Sequence, residues 1–325
     1  MSFGYQILGF GSGGSAQFLE ATGGNATVTC GSFKTHIFTG PGTFCVSTVA
    51  DDTDNNQVDY LVVGGGGGAW ANPTANAGGG GAGGFRMSNE LGLPSPATSP
   101  IANSTGLTVS ASPYSITVGA GATNVSCTGV APNGSASTFD SITSAGGGGG
   151  RSSIGVGGPG ASGGGGSQAP SYPGIGYAGG TGNTPPVSPA QGTPGGAGFD
   201  GKCYTCNGGG GGGGGAAGGN AGPGAGGNGG VGSYIGDGFV GPTAPSYGTP
   251  GPVSSTRYFA GGAGGSSGGA GVPACAGGTG GAGGGGYPNG PTSPGVSGTV
   301  NTGGGSAAYT TGGGSGIVMI RYKFK

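Results

Sequence analysis

Blocks of consecutive glycine constrain this chain more than any other feature. The longest block, 208–215, has eight glycines in a row, and shorter blocks recur between residues 64 and 314. Each glycine costs an α-helix about 1 kcal/mol relative to alanine, so this density excludes amphipathic helices. Collagen is excluded because its triple helix needs glycine at every third position without interruption. Any folded state must therefore gain from backbone that carries no side chains.

Intrinsic disorder is the main alternative. The 97 glycines and 23 prolines make up more than a third of the 325 residues, above the roughly 25–30% typical of low-complexity chains. Disordered soluble segments usually carry high net charge, whereas this chain has eight basic and nine acidic residues and a net charge of −1. Flexible coil is the corresponding alternative for the glycine blocks. We predict order, because good β-strand segments bracket the blocks.

Short apolar or alternating runs predict these strands. Val58-Asp59-Tyr60-Leu61-Val62-Val63 is rich in β-branched residues and predicts a central strand. The closing run 316–324 is apolar in its first half and alternates in its second, which indicates burial at one end. Further strand patterns lie at 26–30, 34–38, 43–47, 107–109, 114–118 and 138–142.

Side-by-side packing of polyglycine-II helices explains the glycine blocks. Such a helix has three residues per turn and no internal hydrogen bonds, so its N–H and C=O groups point to its neighbours. Buried backbone groups need partners, and a bundle of these helices supplies them. The block 208–215 is suited to an interior helix. The segments 226–232 and 261–266 carry a larger residue at every third position, which predicts surface helices with that residue outward.

We therefore predict an all-β protein with no α-helix. Residues 25–144 plus 315–325 are expected to form a small β-sandwich, and residues 145–314 an inserted polyglycine-II bundle with Pro, Ser and Tyr loops. Residues 1–24 are expected to form a docking arm. Its apolar residues are the candidate docking contacts: Phe3, Tyr5, Ile7, Leu8 and Phe10.

Side chains suited to catalysis or metal binding are sparse. His36 is the only histidine and lies in a strand pattern, which is typical of a structural residue. The run Asp51 to Asp54 offers oxygen ligands for Ca²⁺, but we interpret it as a solvated loop. Cys203 and Cys206 form a C-x-x-C without the second pair that a zinc site needs. We predict no cofactor, no metal and no enzymatic activity.

Charge and hydropathy limit the partners. The eight basic residues are scattered, and only Arg321, Lys323 and Lys325 lie close together, so nucleic-acid binding is not expected. No stretch approaches the roughly 20 apolar residues of a membrane helix, so membrane insertion is not expected either. The first residues lack the basic region and apolar core of a secretory signal. We therefore expect synthesis and folding in a cytoplasm.

Aromatic residues in the linkers are the candidate binding residues. Tyrosine in loops rich in Pro, Ser and Gly gives a large, rigid contact area at low entropic cost. Arg257-Tyr258-Phe259 is the densest such group. The alternative is that these rings cover the glycine bundle. The candidates are Tyr172, Tyr204, Tyr234, Tyr247, Arg257, Tyr258, Phe259 and Tyr287.

Four elements follow one another along the chain: Tyr60-Leu61-Val62-Val63 entering a glycine block, 114–121, 137–142 before the block 146–150, and 316–322. In this order they resemble the glycine-rich domain of bacteriophage tail-fibre and tip-adhesin proteins. The opening Met1 to Phe10 and the hairpin at 35–44 are similar to N-terminal parts of such proteins from marine phages. The resemblance spans most of the chain from about residue 27.

The resemblance implies a β-sandwich that extrudes polyglycine-II helices, a location on the virion surface, and receptor binding through loops at the helix ends. We therefore expect a tail-fibre or adhesin component for host attachment. The expected partners are other virion proteins at the N-terminus, a host receptor that is a protein or a glycan, and further copies of the chain, since fibres are commonly trimers. The alternatives are a capsid-surface decoration protein and an extracellular glycine-rich structural protein.

Overall fold

A computed structural model describes residues 16–70, 77–93, 98–125, 129–152, 154–168, 176–199, 207–241, 247–267, 276–288, 295–308, 310 and 312–325. The strands are β1 (Glu20–Thr22), β2 (Ala26–Cys30), β3 (Phe33–Phe38), β4 (Gly42–Thr48), β5 (Gln57–Val63), β6 (Phe85–Met87), β7 (Leu107–Thr108), β8 (Pro113–Thr117), β9 (Ser137–Phe139), β10 (Ile142–Ser144), β11 (Ser233–Gly236), β12 (Thr256–Phe259) and β13 (Ile317–Lys323). The helical elements are a 3₁₀ turn, Thr53–Asn56, and one α-helical turn, α1 (Asp237–Val240).

Two antiparallel sheets form a sandwich. The first has the order β1-β4-β8-β9-β10, and the second has the order β2-β3-β13-β5-β6, with β7 also pairing with β5. The predicted all-β fold is confirmed, since no described helix exceeds one short turn. The buried side chains between the sheets include Leu19, Phe44, Val62, Phe139, Ile320 and Tyr322.

The predicted strand 58–63 is central because it has a hydrogen-bonded neighbouring strand on each side. Val63 pairs with Ile317 and Asp59 with Arg321 on β13, while the other edge of β5 pairs with β6. Consecutive residues of β5 are buried on both faces, which is why the run is apolar throughout rather than alternating.

The boundary expected between the docking arm and the sandwich at residue 25 is too late. Strand β1 pairs with β4, so that Glu20 lies opposite Thr48. Leu19 and Ala21 are buried in the core between the sheets. The short strand was not predicted because Glu20-Ala21-Thr22 is too short to show a periodic pattern, and long-range pairing alone defines it.

A hairpin from the glycine-rich region covers the outer face of the second sheet. Strands β11 and β12 pair over four residues, and α1 follows β11 directly. Ile235, Phe239 and Phe259 from this cover pack with Leu61 and Met319 of the sheet. The second sheet is therefore buried on both faces, and we call β11, α1 and β12 the cover.

The glycine segments hydrogen bond with a period of three residues. The amide of Gly64 donates to the carbonyl of Gly84 at 3.0 Å. Three residues on, the amide of Gly67 donates to Gly81 of the same neighbour at 2.8 Å, while the residues between them bond to other segments. A neighbour met at every third residue is the signature of a helix with three residues per turn. The segments are rods of the predicted polyglycine-II type.

The rod 208–214 lies in the interior of the bundle, as the eight-glycine block predicts. Its amides donate to rods 260–266, 163–166 and 216–219, and its carbonyls accept from three others. The segments that donate to its carbonyls are 227–230, 79–82 and 193–196. The rod therefore has six neighbours, because the three N–H directions and the three C=O directions around its axis alternate.

The bundle also includes glycine segments from the range expected for the sandwich. The rod 78–84 donates to segments 145–151, 209–212 and 303–306. It accepts from segments 64–67 and 162–165, and from Ala263. The bundle therefore extends beyond residues 145–314, since the rod 78–84 has six neighbours like the interior rod 208–214.

The sequence predicted that two rods, 226–232 and 261–266, lie at the surface of the bundle, and this is correct for the first. In 226–232, Asn228 is exposed as expected. In 261–266, Ala263 is fully buried and Ser266 nearly so, so the prediction of an outward third residue is wrong there. That rod has neighbours on every side, including 208–214, 227–230, 278–281 and 283–286, and a methyl group at residue 263 is accommodated inside the bundle.

Candidate binding surface at the loop end of the bundle

The rods separate the molecule into two ends. Val63 pairs with Ile317 at the inner edge of the second sheet, and the following rod carries the chain away from the sandwich to Trp70. The return rod 78–84 spans seven residues, which at ~3.1 Å per residue is about 20 Å. We call the far end the loop end and define it by Trp70, Ala77, Arg151 and Asn207.

The described N-terminal and C-terminal residues lie at the opposite end. The amide of Gln17 donates to Oδ2 of Asp51 at 3.0 Å, and Asp51 precedes the strand whose other end enters the rods. The amide of Phe324 donates to the carbonyl of Ser32 at 3.0 Å. A cavity of about 320 Å³ beside these residues is lined by Ala16, Gln17, Phe18, Glu20 and Phe324. Ala16, the first described residue, therefore lies on the side of the sandwich opposite the loop end.

Charge is distributed unequally between the two ends. Among the described residues, Arg151 is the single charged side chain at the loop end. The other described acids and bases lie on the sandwich, its cover or the terminal strand. The described part of the loop end is therefore almost uncharged.

Arg151 lies near exposed aliphatic residues in the chain. Its Nε and Nη2 donate to the carbonyl of Ile154 at 2.9 and 2.6 Å. Residues 130 and 151 form an antiparallel bridge. The side chains of Val130, Ile154 and Val156 are 43%, 44% and 49% exposed. We call these four residues the Arg151 patch.

Two glycines allow the Arg151 patch to lie flat on the rods. Gly155 has a φ of +139°, and a Cβ there would lie 2.8 Å from the guanidinium carbon of Arg151. A Cβ at Gly158 would lie 2.6 Å from Cγ1 of Val130. Both side chains therefore rest directly on glycine backbone, which fixes their positions with little conformational freedom.

Asn124 ties three chain segments together beside the Arg151 end of the bundle. Its Oδ1 accepts from the amide of Ala69 at 2.8 Å. Its Nδ2 donates to the carbonyls of Ala307 and Thr310 at 3.1 and 3.0 Å. The neighbouring Trp70 is 8% exposed, and its buried indole N–H has no partner among the residues that the structure describes. Amide crosslinks of this kind hold loop-end residues to the rods.

Tyr287 is the predicted binding residue that the structure places exposed at the loop end. Its side chain is 43% exposed. Tyr287 and Val296 exchange two backbone hydrogen bonds of 3.2 and 2.7 Å. Phe199 and Asn207 close a second bridge at this end, with bonds of 2.8 and 3.1 Å. These bridges present side chains on short, paired backbone.

Several predicted contacts lie outside the described residues, so their placement stays a prediction. Tyr172 and Tyr204 belong to this group, and so does the C-x-x-C pair. The candidate docking residues do too: Phe3, Tyr5, Ile7, Leu8 and Phe10.

The prediction that Tyr258 and Phe259 are exposed in a loop is wrong. Both belong to β12, and they are 3% and 0% exposed. Phe259 packs in the cluster between the cover and the second sheet. The sequence suggested a loop because glycine and proline surround this run, but pairing with β11 turns it into a buried strand.

The remaining candidates on the cover are partly exposed. Tyr234 packs against Tyr258 with ring centroids 5.2 Å apart and the rings tilted by 41°. Tyr247 packs against the cover cluster, and Arg257 is half-buried on β12. These three side chains lie beside the sandwich, away from the loop end, so the structure does not gather the predicted residues into one site.

Sequence reasoning missed the Arg151 patch. Its members are single aliphatic or basic residues beside glycine blocks, as in Arg151-Ser-Ser-Ile154-Gly-Val156. The sequence could have indicated the patch, because a large side chain among glycines has no neighbouring side chains to cover it and stays exposed.

His36 occupies a buried structural position. It is 2% exposed, and its Nδ1 donates to the carbonyl of Gly23 at 2.6 Å. Its Nε2 then accepts from the Tyr322 hydroxyl at 3.2 Å. Burial lowers the pKa of His36, with a smaller lowering by Lys34, and burial raises the pKa of Tyr322 to about 12. Both groups are therefore neutral at pH 7.

The acidic loop serves as a capping turn. Asp52 accepts from the amide of Asp54 at 3.1 Å and from Nδ2 of Asn55 at 3.1 Å. Among the residues that the structure describes, no three His, Cys, Asp or Glu side chains lie close enough to hold a metal ion. Cys30 and Cys45 are half-buried free thiols. No helix in the described segments is long and apolar enough to cross a membrane.

Comparison with known proteins agrees with the composition. A family model described as a glycine-rich domain matches residues 38–323. The matched range contains the strands from β4 to β13 and all the rods of the bundle. No curated protein matched the chain.

Proposed function

We propose that this chain, which belongs to the glycine-rich domain family, is a bacteriophage virion surface protein, a tail-fibre or tip-adhesin component that attaches the particle to its host. The proposal assigns binding and display, not catalysis. Its partners are other virion proteins at the terminal residues and a host receptor at the loop end.

The separation of the two ends is the observation that carries this proposal. The described N-terminal residues lie at the far side of the sandwich, where Gln17 bonds to Asp51. The loop end lies about 20 Å beyond the sandwich on glycine rods. A chain attached to a particle by its N-terminal arm would therefore present the loop end to the surroundings.

The rods suit display because they are stiff and thin. Each interior rod is hydrogen bonded on all its faces, and glycine leaves no side chains to separate neighbouring axes. Loops on such a rigid scaffold are the usual place for recognition residues. Exposed residues such as Tyr287 and Ile154 are candidates for contact.

Immunogold electron microscopy tests the proposal. Antibodies against the purified chain would be applied to particles produced from the genome that encodes it. Label at tail fibres or the tail tip is the expected result. Label spread over the capsid would contradict the attachment role and support a capsid decoration protein. Particles without label would contradict a place in the virion.

A further inference from the structure

We propose that copies of this chain associate side by side through two opposite edges of the glycine bundle. In each contact, the rod 176–182 of one copy lies beside the rod 276–282 of the next, so that the rods of both bundles form one continuous array. We call these rods the donor edge and the acceptor edge. The inference goes beyond the proposed function and does not depend on it, because it concerns only how copies of the chain pack.

Four amides of the donor edge have no hydrogen-bond partner among the described residues. The amides of Tyr177 and Gly180 donate to the adjacent rod 164–167. Ala178 and Thr181 are exposed, so the other side of the rod is accessible. The unpaired amides recur with the three-residue turn of the rod. They belong to Ala178, Gly179, Thr181 and Gly182.

Asparagine side chains cap amides of this kind elsewhere on the outside of the bundle. Oδ1 of Asn220 accepts from the amide of Ala197 at 2.8 Å, and Oδ1 of Asn133 accepts from the amide of Gly149 at 3.0 Å. The four amides of the donor edge have no such cap in the described structure. An uncapped row of backbone groups is a template for pairing with another chain, as at the edge of a β-sheet.

The acceptor edge presents unpaired carbonyls at the matching spacing. The carbonyls and amides of Gly277 and Gly280 have no partner among the described residues, whereas the carbonyl of Thr279 accepts from the amide of Gly229 at 2.8 Å. Since three residues complete one turn, Gly277 and Gly280 face the same direction. Ala276 and Thr279 are exposed on this rod. Carbonyls three residues apart fit the spacing of the amides on the donor edge.

The two edges lie on opposite sides of the interior rod 208–214. Six segments surround that rod in the order 163–167, 193–198, 216–219, 226–230, 260–266 and 78–84. The donor edge bonds to the first two of these segments, and the acceptor edge bonds to the fourth and fifth. Contacts between unlike edges on opposite sides join copies head to tail, and such contacts either close into a ring or continue as a filament.

Neither edge carries charge that would repel a second copy. The stretches 152–199 and 258–320, which contain the two edges, have no Asp, Glu, Lys or Arg. Proteins often protect exposed edges with charged side chains, lysine above all, and like charges brought together across an interface oppose association. Both obstacles are missing from these stretches.

Sedimentation velocity of the purified full chain tests the inference. The wild type should show an average mass that rises with concentration above the mass of one chain. The double variants Ala178→Lys/Thr181→Lys and Ala276→Lys/Thr279→Lys place charge on the donor and acceptor edges, and each should sediment as a monomer. A wild type that stays monomeric at every concentration would overturn the inference.

The matched control is Thr27→Lys/Thr29→Lys, which adds the same charge to exposed residues of the sandwich. It should associate like the wild type, and equal melting temperatures would verify that all variants are folded. An edge variant that associates like the wild type, or a control that is monomeric, would overturn the assignment of the edges.

A mixture of the two edge variants tests the head-to-tail arrangement. Each variant keeps one intact edge, so the mixture should form a complex of one copy of each and nothing larger. A mixture that stays monomeric would overturn the pairing of these two edges.

Discussion

The carbonyl oxygen of Gly80 occupies the space where a side chain on Gly211 would begin. The two glycines lie on adjacent interior rods, and a Cβ built at residue 211 would overlap with that oxygen. Because the obstacle is backbone, no rotamer change can relieve it. Close approach of this kind is the physical reason for the glycine blocks.

Gly211→Ala should therefore destabilise the protein by about 3 kcal/mol, at the upper end of the range for overpacked interiors. Gly222→Ala is the matched control, because a Cβ there meets nothing within 4 Å. That control should be neutral or stabilise by about 0.4–1 kcal/mol, through the entropy of the unfolded chain. Urea denaturation of both variants measures the difference, and equal midpoints would contradict the close-packed bundle.

Phe259→Ala should destabilise the fold, whereas Tyr287→Ala should leave stability unchanged. Phe259 is fully buried between the cover and the second sheet, and truncation of a buried phenylalanine costs about 3–5 kcal/mol. Tyr287 is 43% exposed at the loop end, and surface changes usually stay within about 0.5 kcal/mol. Thermal unfolding of the two variants checks this. A stable Phe259→Ala protein would refute the buried position of β12.

Asp59→Ala should be among the most destabilising single changes in the sandwich. The carboxylate accepts from Ser88 Oγ at 2.8 Å and from the amides of Glu90 and Leu91. It also lies 3.5 Å from Nη1 of the buried Arg321.

Removing that carboxylate would leave a buried cation unpaired, at a cost of about 3–5 kcal/mol. Asp54→Ala, on the exposed capping turn, is the control and should change stability by less than about 0.5 kcal/mol. The free energy of unfolding in urea compares the two. A similar, small effect for both would mean that the pair contributes little.

Stability should fall as the pH drops below about 6.5. Burial lowers the pKa of His36 in the folded chain, so the unfolded chain takes up a proton first, near the ordinary histidine pKa of about 6.5. Stability is therefore lost between that pH and the lowered folded pKa, with a slope of at most about 1.4 kcal/mol per pH unit for one proton.

Since His36 is the only histidine, His36→Asn should flatten this pH dependence between pH 7 and pH 5. Asparagine retains an N–H donor close to the position of Nδ1. Denaturation curves at several pH values give the slope for each protein. An unchanged slope in the variant would assign the pH dependence to other groups.

The sequence predicted the long strands β3, β4, β5 and β13 and the interior rod well, because each has a local signature. The apolar run at 58–63 can only be a buried strand, and eight consecutive glycines in 208–215 can only gain by packing on every face. The order of neighbours was not predictable. Glycine faces are chemically identical, so nothing in 78–84 distinguishes one neighbouring rod from another.

Long-range pairing explains the remaining errors. Ala263 is buried because segments distant in sequence surround its rod, and Phe259 is buried because β11 pairs with its strand. Neither fact has a local signal. The exposed aliphatic residues of the Arg151 patch were overlooked for a similar reason. The candidate binding residues were chosen for their aromatic rings, and the exposure of an aliphatic side chain depends on the folded structure.

Amide hydrogen exchange is the most direct test of the central claim that glycine rods exchange backbone hydrogen bonds with their neighbours. The amides of 208–214 all donate to other rods at 2.8–3.0 Å. Mass spectrometry on the purified chain should therefore find them protected to a degree comparable with strand β13. Exchange of this block at the rate of an unstructured peptide would contradict the bundle and the display role built on it.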